Sequence, residues 1–396
     1  MTSLTNNHRI ASIDIFRALT MFFMIFVNDL WTLHDIPEWL GHTLAEEDGM
    51  GFADLIFPAF LFIVGLSVPN AIEARRKKGE NDKAILIHIL QRAFALIVMG
   101  FFAVNLENIN RELLPVSKYI WQLLMVFAFF LIWNNYEDGK AMGKIPKKYM
   151  ISAGVVILIL LAFLYKGGTT QNPGWMQTHW WGILGLIGWA YLLNALVYLF
   201  LGNRFIVIIL IWLLFNLLNV MEFASWAGEL KGIRLMISAS SHSLVMSGIL
   251  ATMIYKRSVN GFSPFLFPAL LVLLAAVVLI YGFAVRPYWG ISKIRATPSW
   301  TTICTGISYG SIAILYLIAD VYKKTGWATI LSPAGRSTLT CYLVPYYYYA
   351  LITMASLSLP QSLRGGAIGI VKSLLFALLI VFITGALERR KIRLKI

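Results

Sequence analysis

Apolar runs of roughly 17–24 residues recur along the whole chain, each near the length that carries a helix across a bilayer. Nothing else in the sequence restricts the fold as tightly. Twelve such runs can be delimited: 12–31, 52–74, 84–104, 118–134, 149–165, 180–201, 204–221, 241–255, 264–284, 300–321, 335–355 and 367–387. The runs 118–134 and 241–255 are the shortest and most polar, and the pair 180–201 and 204–221 reads as a long broken hairpin. Only 13% of the 396 residues are charged and 59% are hydrophobic, far from the roughly 25% charge of soluble domains. The expected fold is therefore all-α: a polytopic integral membrane protein with about 10–12 transmembrane helices in a single domain over 1–396.

The basic residues orient these spans. With the N-terminus inside, 21 of the 33 Lys and Arg fall on inner segments and nine on outer ones. Short inner loops rich in Lys and Arg place both termini in the cytoplasm. The net charge of +14 then belongs to the inner membrane face, and no nucleic-acid partner is needed to explain it. The first run carries Asp14 and Arg17 and is followed by no small-residue cleavage site, so it reads as a retained span. Cys304 and Cys341 both fall inside runs, so neither a disulfide framework nor a zinc site is expected, and no metal.

Ionisable groups inside spans are costly unless paired or used. Asp14 and Arg17, three apart on one helix face, either neutralise each other or leave Arg17 to hold a phosphate from the cytoplasmic side. Arg92 is a second intramembrane cation for the same task. Asn28 closes the first run, where its amide can donate to a carbonyl oxygen gaining charge. The next segment, 32–51, is extracytoplasmic on this topology, and with its flank it holds six acids and no Lys or Arg. Such a mouth favours a cationic ligand, although positive-inside bias alone leaves acids there. Two histidines lie in it, His34 and His42, and an imidazole is the natural base for an incoming amine. Asp54 stands at the entry of the second run. The aromatic run Tyr346–Tyr349, with Trp175, Trp180 and Trp181, offers stacking surfaces for a sugar, with interfacial anchoring the plainer explanation.

Two signatures carry a family resemblance: Ser12-x-Asp14-x-Phe16-Arg17 leading to Val27-Asn28, and Ala53-Asp54-Leu-Ile-Phe57-Pro58-x-Phe60-x-Phe62-Ile63-x-Gly65. A looser one follows at Trp300-Thr301 and Pro333-x-Gly335-x-Ser337. The chain resembles the transmembrane acetyltransferases related to heparan-α-glucosaminide N-acetyltransferase, especially their bacterial homologues, best over 9–104 and loosely over 300–355. The helical material at 180–221 has no obvious counterpart. The resemblance implies acetyl-CoA as co-substrate entering from the cytoplasm and an amino-sugar or glycan acceptor on the other side. It also implies a bacterial cytoplasmic (inner) membrane location and, by analogy alone, a homodimer. Carried onto this chain, His42 is the expected base, with Asn28 and Asp54 beside it, and Asp14, Arg17 and Arg92 serve the donor. The alternative is a secondary transporter of an amino sugar or organic cation.

Overall fold

The computed structural model describes residues 10–136, 146–202, 204–223, 238–258 and 263–396. Five basic residues counted above, Arg9, Lys140, Lys144, Lys231 and Arg234, lie outside them. Thirteen helices account for nearly all the regular structure among the described residues. They are α1 (Ala11–Asp29), α2 (Ala53–Lys77), α3 (Asp82–Glu107), α4 (Lys118–Trp133), α5 (Lys147–Leu164), α6 (Gly182–Leu201) and α7 (Phe205–Met221). The rest are α8 (Ala239–Ser258), α9 (Leu266–Trp289), α10 (Pro298–Tyr316), the short α11 (Ser332–Arg336), α12 (Thr338–Met354) and α13 (Gly366–Arg389). A π-helical turn, Leu317–Val321, prolongs α10.

Each of the twelve apolar runs is helical, the run 335–355 with a break at Ser337, and among the described residues eight helices are long and apolar enough to cross a membrane. The outer faces of α5, α7, α9 and α13 expose large apolar side chains such as Phe163, Ile206, Ile280 and Phe382. A belt of that kind has no place in water, and lipid is the solvent that suits it. The protein is an all-α polytopic membrane protein.

Helix α1 sits in the middle, packed on α2, α10, α11, α12 and α13. It has no side-chain cap of its own. Asp320, from the π turn, accepts from the Ala11 and Ser12 amides at 2.9 Å each and so satisfies two of the orphan donors at its N-terminus. Backbones come closest where α2 crosses α8: a Cβ on Gly65 would overlap the Val245 carbonyl, and one on Gly248 the Phe62 carbonyl. Small residues permit such approach, and in lipid it supplies much of the packing energy. The two helices of the sequence-read hairpin face different partners, α6 lying against α3 and α7 against α8.

Ion pairs sort to the two ends. Arg75–Glu80, Arg76–Asp82, Lys256–Glu73 and Arg336–Glu388 lie at the end that holds the start of α1 and the C-terminal segment. Asp48–Arg286 and the backbone bridge between His34 and Gly365 lie at the other. These are called the inner and outer ends below.

Candidate active site

At the inner end Arg17 is held on both sides. Its guanidinium donates to Asp14 at 3.2 Å and to Ser67 of α2 at 2.7 Å. Beyond it lies a cavity of about 320 Å³ whose lining includes Arg17, Arg92, Arg336, Arg393 and Lys395 among apolar residues of α1, α2 and α6. Asp14 does not reach the cavity; it acts on Arg17. Arg92 lies over the Tyr191 ring at 4.8 Å, and its buried Nε has no hydrogen-bond partner. The C-terminal segment folds back to close this end, pinned by Asn135 N to Arg393 O (2.8 Å), Leu394 N to Thr340 Oγ1 (3.0 Å) and Lys395 N to Trp133 O (2.9 Å). Five cations line one cavity, opposed at its rim by Glu388 on Arg336 and Arg393, and planar Arg groups of this kind suit phosphate oxygens.

A second cavity of about 320 Å³ opens toward the outer end, lined by Asn28, Trp31, Glu107, Gln122, Tyr346 and Tyr349. Tyr342 and Ile183 line both cavities, so the two stand back to back with that pair between them. Gln122 is fixed by donating to the Tyr346 carbonyl at 2.7 Å. Tyr349 is fixed by donating to Asp29 at 2.6 Å, and Asp29 in turn accepts from Lys372 and Ser373. Asn28, on the last turn of α1, is exposed.

His42 and Asp54 are brought together. The chain between α1 and α2 makes two short 3₁₀ turns and folds onto the start of α2, where Phe52 N donates to Trp39 O at 2.6 Å. Gly51 is needed there because a Cβ would overlap the Gly41 carbonyl. The Asp54 carboxylate, 1% exposed, accepts from Gly51 N (3.0 Å), Thr43 N (3.1 Å) and His42 Nδ1 (2.6 Å). A proton on Nδ1 facing the carboxylate leaves Nε2 as the basic nitrogen of a half-exposed ring. Lys293, from the loop between α9 and α10, places Nζ 3.2 Å from the same Nδ1 and 3.7 Å from Asp54. Nδ1 cannot serve both, and the shorter contact to a buried anion decides for Asp54. Burial lowers the Lys293 pKa, and the Asp54 carboxylate opposes that shift.

Neither cavity is lined by His42 or Asp54. His34 lies apart from both groups: its backbone is hydrogen-bonded to Arg364 and Gly366, and its Nδ1 meets Asp35 at 2.8 Å. His242 is buried in the helix core beside Asn194 and Phe215.

A family model described as heparan-alpha-glucosaminide N-acetyltransferase, catalytic, matches residues 9–165. Over that stretch the chain is similar to that family. The matched stretch includes Asn28, Glu107, Gln122, the His42–Asp54 pair and the inner-end Asp14, Arg17 and Arg92. Two curated relatives carry that name. The human protein is 32% identical over 97 residues, 24% of this chain and 14% of the relative. The mouse protein is 30% identical over 104 residues, 26% of this chain and 15% of the relative. The aligned stretch thus spans about one seventh of either relative's length.

Several site residues escaped the sequence reading. Glu107, which closes α3, was not singled out at all; Lys293 was one of nine outer basic residues. Arg336, Arg393 and Lys395 were read only as markers of the inner face. The one available signal was for Gln122, a polar residue inside an apolar run.

Proposed function

We propose that this protein is a transmembrane acetyltransferase that takes an acetyl group from acetyl-CoA at its inner end and gives it to an amino-sugar acceptor at its outer end. The observation that carries the reading is the pair of cavities sharing Tyr342 and Ile183, cationic on one side and polar and aromatic on the other. The phosphates of the donor bind Arg17, Arg92 and the Arg393–Lys395 segment, and the thioester arm follows the apolar wall toward Tyr342. The acceptor enters the outer cavity. Its amine nitrogen attacks the thioester carbonyl, the nitrogen–carbon bond forms as the carbon–sulfur bond breaks, and CoA leaves as the thiolate. The amine proton goes to Nε2 of His42, whose tautomer Asp54 fixes, while the Asn28 amide donates to the carbonyl oxygen as it gains charge. Since His42 lines neither cavity, it reaches the amine when the 41–51 loop draws in over bound acceptor, as catalytic hydrogen bonds commonly tighten only in the complex.

The test uses purified protein, labelled acetyl-CoA and glucosamine. Wild type should yield N-acetylglucosamine and free CoA in equal amounts. His42→Ala should lose at least 100-fold in turnover, the lower range for a general base, with an unchanged melting temperature. A His42→Ala enzyme at full rate would remove His42 from the mechanism. Accumulation of unmodified glucosamine in proteoliposomes, without acetyl-CoA binding, would replace the enzyme by a transporter.

A further inference from the structure

The outer cavity holds one acid with no cationic partner. Asp29 is paired with Lys372, Asp48 with Arg286, and Asp54 with His42 and Lys293. Glu107 is the acid on the lining of the outer cavity; among the described residues no Lys or Arg nitrogen lies within ion-pair distance of it, and Lys118 acts on it only from further off. The Trp180 side chain lies beside its carboxylate. Glu107 is exposed at the outer end of α3 and lines the cavity together with Trp31, Tyr346 and Tyr349.

The neighbours say what use. Asn28 and Gln122 supply amides to the same cavity; Tyr346 and Tyr349 supply ring faces. One amide and one ring are held in place, Gln122 by the Tyr346 carbonyl and Tyr349 by Asp29. At about 320 Å³ the space falls at the lower end of the range of about 300–1,000 Å³ typical of small-molecule sites. A ring with several hydroxyls and one ammonium matches this set: the rings stack its face, the amides take hydroxyls, and a carboxylate completes the cation. An anionic or purely apolar ligand would leave Glu107 unanswered.

We infer that Glu107 is the anchor for the acceptor, binding the ammonium of a protonated amino sugar in the outer cavity before transfer. The inference rests on the donor–acceptor reading above and adds the residue that selects an amine over a neutral sugar. Glu107 holds the cationic form; one ammonium proton passes to bulk water at this exposed end, and the freed neutral amine leaves the anchor toward the shared wall at Tyr342. There, on attack, a second N–H proton goes to His42 and from there to the CoA thiolate.

Binding without donor tests this separately from catalysis. Glucosamine is titrated into purified wild type, with tryptophan fluorescence from Trp31 and Trp180 beside the cavity as the signal and calorimetry as the check. Saturable binding is expected, with glucose and N-acetylglucosamine at least tenfold weaker. Glu107→Gln should weaken glucosamine at least tenfold and leave glucose unchanged, erasing the preference. Glu107→Asp, which keeps the charge, should retain part of it and guards against a folding defect in the amide variant. Acetyl-CoA titrated into the same samples should bind all three proteins alike. If Glu107→Gln binds glucosamine as wild type does, or wild type prefers glucose, the anchor is overturned. Failure of acetyl-CoA alone to bind would instead strike the donor reading and leave the anchor standing.

Discussion

The Asp29–Lys372 pair gives the sharpest test of how the outer end is held. The Asp29 carboxylate, 3% exposed, takes three hydrogen bonds of 2.6 Å, from Tyr349, Lys372 and Ser373, so that α1, α12 and α13 meet on one anion. Lys372 also donates to Thr32 at 2.7 Å. Lys372→Met keeps most of the apolar stem and deletes the charge. Removing one partner of a buried pair costs about 3–5 kcal/mol, because the other charge stays buried and uncompensated. Two hydroxyl donors remain on Asp29, and each bond to a charged group is worth about 1.5–3 kcal/mol, so the loss should sit near the lower bound, about 3 kcal/mol. Asp29→Asn should be milder, about 1–2 kcal/mol, since the ammonium it leaves is 19% exposed and keeps Thr32. The double variant Asp29→Asn/Lys372→Met buries no charge and should be more stable than Lys372→Met alone, with a coupling of about 1–3 kcal/mol. Reversible unfolding in mixed detergent–denaturant micelles of all four proteins measures the cycle. Strict additivity, or a loss below about 1 kcal/mol for Lys372→Met, would refute the claim that this pair is desolvated and shared by three helices.

Two further outcomes follow from the same packing and electrostatics. Gly65→Ala should force α2 and α8 apart and cost about 1–3 kcal/mol, the usual range for overpacking, whereas Gly310→Ala on α10, with open space around it, should change stability little; thermal unfolding of both variants decides. Burial raises the Asp48 pKa, but the Ile291 amide at 2.6 Å and the Arg286 side chain together outweigh it and hold the carboxyl below its ordinary value. The folded state therefore binds that proton less readily than the unfolded chain: the stabilisation is present above the ordinary carboxylate pKa of about 3.9 and is lost as pH falls through the lower folded value. Asp48→Asn should cost at most about 1 kcal/mol near pH 7, the pair being half exposed, and its melting temperature should converge on wild type in acid.

The helices were legible because a bilayer leaves a chain so few choices. Backbone polar groups in hydrocarbon must be satisfied within the segment, so an apolar run of spanning length has to be helical. Even the two most polar runs, at 118–134 and 241–255, became α4 and α8. What length could not reveal was the break inside the run 335–355. There α11 ends at Arg336, Ser337 leaves the helical conformation, and α12 starts anew. The cause is tertiary: Gly335 packs against the Asp14 carbonyl and Ala18 of α1, and Arg336 turns to Glu388 of α13. Partners for α6 and α7 were equally hidden, because ridge-and-groove fit between apolar helices leaves no mark in either helix's own periodicity.

Site residues divided along the same line. His42 and Asp54 are twelve apart in sequence and meet through one loop folded on the first turn of α2, so a motif could bring them together. Glu107, Gln122, Tyr342 and Tyr349 meet only because α3, α4 and α12 converge around the end of α1, and no spacing encodes that convergence. The inner cluster shows a third case. Arg393 and Lys395 were read only as basic residues of the inner face, yet their place on the cavity depends on four hydrogen bonds that fold the C-terminal segment onto Trp133, Asn134, Asn135 and Thr340. The same residues that were read for orientation thus also line the inner cavity. Asn28 and His42 raise a related point. Asn28 is fixed through its neighbour Asp29 to α12 and α13, and His42 through Asp54 to α2, so they hang from separate anchors. If the proposed proton transfer needs both, the 41–51 loop that carries His42 must move toward Asn28 for the proton to pass.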